Sequence, residues 1–183
     1  MRLVIGSLFV VSSVLFAADT NGYIKARGKP GNAGVFVDGK YLGPASRFTV
    51  PEKYQVEPGE RTVEFRDPRY EDFSTKVSVT AGKTAKIKYS LKPVEPAKGP
   101  FGRLRFGGGE AESFISVTAG DTSPVYVNDK FWGHIDEFNN LGSGMLLPPG
   151  SYNIKVSSPT FGEINQQVTI EADKLTIIPL TKK

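Results

Sequence analysis

The chain repeats itself at a spacing of about 90 residues. Val35-Phe36-Val37-Asp38-Gly39-Lys40-Tyr41-Leu42-Gly43 returns as Val125-Tyr126-Val127-Asn128-Asp129-Lys130-Phe131-Trp132-Gly133, and Glu57-Pro58-Gly59-Glu60 returns as Pro148-Pro149-Gly150-Ser151. Asp67-Pro68-Arg69-Tyr70 is matched by Ser158-Pro159-Thr160-Phe161, and Val77-Ser78-Val79-Thr80-Ala81-Gly82-Lys83 by Val168-Thr169-Ile170-Glu171-Ala172-Asp173-Lys174. A period that long describes two copies of one domain.

The N-terminus has the pattern of a secretory signal peptide: Arg2, then an uncharged run from Leu3 to Ala18 that ends on the small residues Ala17 and Ala18. As a helix that run would span only about 24 Å, short of the ~30 Å hydrocarbon core, so a removable leader is expected rather than a membrane anchor. Export implies a periplasmic, cell-surface or secreted location. The expected division is residues 1–18 as signal peptide, 19–93 as the first repeat, 94–101 as a Pro-rich linker and 102–183 as the second repeat. Each repeat is close to the lower size at which a core supports itself, and the chain has no cysteine. Stability must then come from packing, sheet hydrogen bonds and contact between the copies. The charge is unevenly divided, +5 over residues 19–93 and −2 over residues 101–183. For an exported chain, a basic half points away from nucleic acid and towards an anionic wall polymer, a lipid surface or plain solubility.

Within each copy the hydrophobic period is two. Val63 and Phe65 alternate with Thr62 and Glu64, and Ile87, Tyr89 and Leu91 with Lys86, Lys88 and Ser90, which is the pattern of strands with one buried face. Asp38-Gly39 and Asn128-Asp129 fit two-residue type I′ hairpins, whose central residues need φ > 0. Pro58-Gly59 and Pro149-Gly150 fit type II turns. Six or seven short strands per copy predict an all-β chain of two tandem small antiparallel β-sandwich domains.

The first repeat resembles the PEGA domain, a module of bacterial and archaeal envelope proteins, from Gly22-Tyr23-Ile24-Lys25 through Val35-Phe36-Val37-Asp38-Gly39 and Val56-Glu57-Pro58-Gly59-Glu60 to Tyr89-Ser90-Leu91. The second repeat is more distant, with Pro-Pro-Gly-Ser at the signature and Asp129 where the first has Gly39. The resemblance implies a fold similar to transthyretin-like and immunoglobulin-like sandwiches, and no catalytic residues.

Residue chemistry agrees. His134, the single histidine, has Asp136 and Ser143 nearby, but no nucleophile elbow accompanies it and the segment reads as loop. One histidine and no cysteine leave no zinc set, and Asp136 and Glu137 match no EF-hand spacing. Gly107-Gly108-Gly109 is followed by Glu110 and Glu112, which would put negative charge where a phosphate would sit, so it reads as a flexible loop. No cofactor is expected. Lys25, Arg27 and Lys29, with Lys83, Lys86 and Lys88, could line a groove for an anionic polymer, but they read first as the charges that keep a sheet edge from pairing.

The hairpin register is the remaining signal. Turning at Asp38-Gly39 sets Phe36 against Tyr41 and Val35 against Leu42, with the valines on one face and the aromatic pair on the other. Tyr126 and Phe131 repeat the pair. If the valines face the core, Phe36, Tyr41, Tyr126 and Phe131 are outward-facing candidates for stacking on sugar rings or anchoring a partner. The expectation is an exported, non-enzymatic adhesive or scaffolding protein of the envelope, its partner an envelope protein. The alternative is a glycan or anionic wall polymer bound by those aromatic pairs.

Overall fold

The structure, a computed structural model, describes residues 20–48, 53–107, 120–139, 144–181 and 183. The expected signal peptide, residues 1–18, and Gly108 to Glu112 of the glycine loop lie outside the described residues, as does Ser143.

Period-two alternation becomes strand throughout. Seven strands build the first domain: β1 (Gly22–Lys29), β2 (Gly34–Val37), β3 (Lys40–Pro44), β4 (Tyr54–Val56), β5 (Gly59–Arg66), β6 (Phe73–Val79) and β7 (Thr84–Ser90). They form a three-stranded sheet, β4-β1-β7, facing a four-stranded sheet, β3-β2-β5-β6. The second domain repeats the arrangement with β8 (Gly102–Gly107), β9 (Pro124–Val127), β10 (Lys130–His134), β11 (Met145–Leu147), β12 (Gly150–Ser158), β13 (Gly162–Ile170) and β14 (Leu175–Pro179). Its sheets are β11-β8-β14 and β10-β9-β12-β13, the same order strand for strand. In both domains one 3₁₀ turn follows the hairpin, at Ala45–Phe48 and Ile135–Phe138. The chain is thus two small β-sandwiches.

Inward residues of the two sheets meet in each core. Ile24 and Ala26, Val35 and Val37, Val63 and Phe65, Val79, Ile87 and Tyr89 fill the first, and Leu104, Phe106, Val125, Val127, Ile154, Val156, Val168, Ile170 and Ile178 the second. Burying each large aliphatic or aromatic side chain contributes roughly 1.5–3 kcal/mol, which is how a cysteine-free domain of this size holds together. Tyr89 tolerates burial because its ring stacks on Phe65 at 4.0 Å and its hydroxyl donates to the Pro30 carbonyl at 2.6 Å.

Both hairpins carry the predicted turn, with φ of 49° and 80° at Asp38-Gly39 and 49° and 64° at Asn128-Asp129. The first turn residue also ties down the next strand: Asp38 Oδ1 accepts from the Thr62 N–H at 2.9 Å, and Asn128 Oδ1 from the Asn153 N–H at 2.8 Å. The other repeated motif is likewise a side-chain-locked turn. Asp67 Oδ1 accepts from the Arg69 N–H at 3.0 Å, and Ser158 Oγ from the Thr160 and Phe161 N–H groups at 3.1 Å.

Four details differ from the sequence expectation. The three-stranded sheets are mixed, because β1 pairs β7 and β8 pairs β14 in parallel; alternation marks a buried face but carries no strand direction. Val35 lies opposite Gly43, not Leu42, since each hairpin contains a bulge that leaves Leu42 and Trp132 without a partner. Pro58-Gly59 and Pro149-Gly150 are not type II turns. They are the points where the chain leaves one sheet for the other, with glycine as the first residue of β5 and β12 at φ of 127° and 158°, far from the ~80° of that turn. His134, read as loop, is the last residue of β10 and is buried.

Candidate functional site

Phe36, Tyr41, Tyr126 and Phe131 do face away from the valine cores, and they converge. The expectation that they are accessible is overturned for two of them: Phe36 is 1% and Phe131 3% exposed, while Tyr41 and Tyr126 are half-buried. What covers them is the other copy. Alternation drives both aromatic pairs out of their own cores, and two such apolar faces in one chain lose the most water-exposed area by meeting each other.

Phe131 is the centre of this seam. Its ring lies 5.4 Å from Phe36 at 85°, 5.8 Å from Tyr41, 6.1 Å from Tyr126 at 73° and 5.5 Å from the His134 imidazole. The near-perpendicular pairs set ring edges against ring faces, the favoured quadrupole arrangement. On its other side Phe36 carries the Arg66 guanidinium 4.4 Å from its ring centre.

Polar groups close the rim. The Tyr41 hydroxyl donates to the Thr122 carbonyl at 2.8 Å and lies 2.7 Å from His134 Nδ1, and His134 Nε2 lies 2.8 Å from the Asn32 carbonyl. Carbonyl oxygens only accept, so the Tyr41 hydroxyl is the donor to Thr122 and His134 Nε2 the donor to Asn32. Burial, with lesser contributions from Tyr54 and Tyr126, raises the pKa of Tyr41 and keeps its hydroxyl a donor. The Asn32 amide donates to Glu137 Oε1 at 2.6 Å, while Glu137 Oε2 accepts the His134 backbone N–H at 3.1 Å. Burial also raises Asp136, against the pull of His134.

The rim contacts are reciprocal. Arg47, on the 3₁₀ turn of the first domain, reaches the Gly120 carbonyl in the loop before β9 at 3.2 Å. Glu137, at the equivalent place on the second 3₁₀ turn, reaches Asn32 in the loop before β2. Two copies of one fold thus meet through like surfaces, as the subunits of a symmetric dimer do.

Beside the seam runs an open cleft of about 620 Å³, walled by Tyr41, Arg47, Asp121, Ser123, Thr160 and Phe161. Its carboxylate is already engaged. Burial acts to raise Asp121, but hydrogen bonds from Ser123 and Ser158 outweigh it and hold the group below the usual carboxylate range. Among the described residues no three of His, Asp and Glu gather as a metal site would require. Sequence reasoning singled out the four aromatic residues and set His134 aside as a loop residue without catalytic company; its place in the seam, and Asn32, Arg47, Thr122 and Glu137, it missed. A usable signal was that Arg47 and Glu137 differ in charge at one repeat position beside the outward aromatics.

Among solved structures the chain is similar to the Bacillus anthracis TIE protein, at 16% identity and a TM-score of 0.32, over 89% of this chain and 34% of that one. It therefore spans about a third of that protein's length. No curated protein matches. The PEGA domain family matches residues 22–95, a segment that begins at β1 and ends just past β7. The first of the two sandwiches is a PEGA domain.

Proposed function

We propose that the chain is an exported, non-enzymatic scaffolding or adhesive module, in which a PEGA domain and a divergent copy of it act as one body. The observation that carries this reading is the seam: four aromatic residues and the single histidine are spent on joining the domains. His134 is 2% exposed and both its ring nitrogens are engaged, so it is held as a structural group and not as a general base. A locked pair of sandwiches keeps the outer sheet faces at a constant separation, which suits holding envelope components in register. The uncharged run after Arg2 supports export.

The test compares the full-length chain with a Phe131→Ala variant, following where each fractionates in the cell and how tightly each is retained by isolated envelope fractions. Export with removal of the leader, retention by the envelope, and a loss of retention when the seam is opened support the reading. A chain that stays in the cytosol with Met1 as its N-terminus, or retention indifferent to Phe131, overturns it.

A further inference from the structure

The outer face of the β4-β1-β7 sheet is built against its own electrostatics. Alternation that buries Ile24, Ala26, Ile87 and Tyr89 turns Lys25, Arg27 and Lys29 of β1 and Lys86 and Lys88 of β7 outward. The parallel register then sets Lys25 directly opposite Lys86 and Arg27 directly opposite Lys88. Neighbouring strands are about 4.8 Å apart, and like charges facing each other at that distance destabilise a sheet. Among the described residues none of these five cations forms an ion pair. The ion pairs among this domain's described residues lie instead on β5, β6, the turns flanking β5 and the β2–β3 hairpin turn, where Arg61 meets Asp38 and Glu57, Arg66 meets Glu64, Arg69 meets Asp67 and Lys76 meets Glu60. One sheet of the domain is compensated and the other is not.

We propose that this face binds a linear phosphate polymer. The cations of β1 and β7 form two rows along the strands, whereas the third strand, β4, contributes Gln55 to that face with Lys53 just before it, so the positive charge runs mainly as a strip. Successive outward residues on a strand are about 6.6 Å apart, and two such rows supply roughly one cation per 3.3 Å of strip. A charge that dense matches a polymer with an anion on every short repeat, as a phosphate chain has, better than a glycan charged at occasional sugars. Tyr23 on the same face is already covered by Lys53, whose Nζ stands 4.0 Å from the ring centre, and the exposed large apolar side chains, Val94, Leu146 and Leu175, lie elsewhere. The face therefore offers charge without an apolar wedge, which favours a soluble polyanion over insertion into a lipid surface. Arg27 adds a fork suited to phosphate oxygens.

The inference depends on the first sandwich alone and not on export or the scaffolding role, so the two readings fail separately. The test titrates the purified full-length chain with inorganic polyphosphate at several salt concentrations, next to Lys86→Glu/Lys88→Glu and a control of equal charge away from this face, Lys40→Glu/Lys130→Glu. Polyphosphate should bind, and with about four phosphates neutralised the affinity should fall roughly 50-fold between 50 and 200 mM salt. The first variant should lose about tenfold or more while its thermal midpoint stays level or rises, because the like-charge pairs are gone; the control should stay close to the parent. Absence of binding at low salt, or equal losses in both variants, overturns the proposal. So does binding to vesicles containing anionic lipid with the same dependence on Lys86 and Lys88 when polyphosphate does not bind, since that outcome replaces the polymer by a membrane.

Discussion

Gly34 of the first sandwich lies directly under Phe131 of the second: a β-carbon at position 34 would stand 2.6 Å from Phe131 Cζ. The absence of a side chain there lets the ring settle against β2 and complete the aromatic cluster. Neighbouring rings hold Phe131 on several sides, so it has no free direction in which to retreat.

Gly34→Val should therefore separate the domains without unfolding either core, at a cost of about 1–3 kcal/mol from overpacking. Calorimetry should turn one coupled transition into two. Small-angle scattering should report a longer particle. A single transition with an unchanged radius would show that the seam contributes nothing to coupling.

Tyr41→Phe keeps the ring in the cluster and removes the donor to Thr122, leaving that carbonyl and one imidazole nitrogen without their partner. The expected loss is about 1–3 kcal/mol, the scale of a buried polar group left unsatisfied. Ring nitrogen-15 shifts of His134 should move in the variant, because Nδ1 loses its neighbour 2.7 Å away. Identical shifts and stability would remove Tyr41 from the network.

Asp121 makes the second domain acid-sensitive. Its pKa is lowered in the folded protein, the hydrogen bonds from Ser123 and Ser158 outweighing burial, so its stabilising contribution is present above the ordinary value of 3.8 and is lost as pH falls through the depressed folded value. Asp121→Asn should be less stable than the parent at neutral pH and should show a shallower decline below about pH 4. Parallel acid-unfolding curves for the two proteins would contradict this assignment.

The two crossover glycines should respond differently to the same substitution. Gly59 at φ of 127° lies deep in the region closed to β-branched residues, whereas Gly150 at 158° lies at its edge. Gly59→Val should cost about 1–3 kcal/mol and Gly150→Val clearly less. Denaturant midpoints compare them, and equal losses would mean that packing and not backbone strain governs both sites.

The sequence by itself determined the two copies, the strands, the hairpins at Asp38-Gly39 and Asn128-Asp129, and which residues fill each core, because alternation and turn chemistry are local and repeat with the chain. It also showed that Phe36, Tyr41, Tyr126 and Phe131 turn away from those cores. Only the tertiary structure decided what they turn towards. Exposure is a property of the whole assembled surface, and nothing local in either repeat says that two outward faces will find each other across a short linker. The bulges at Leu42 and Trp132, the parallel pairing of β1 with β7 and the facing of Lys25 by Lys86 are of the same kind. They arise from strand order and register, which bring together residues far apart in the chain and leave no trace in a period-two pattern.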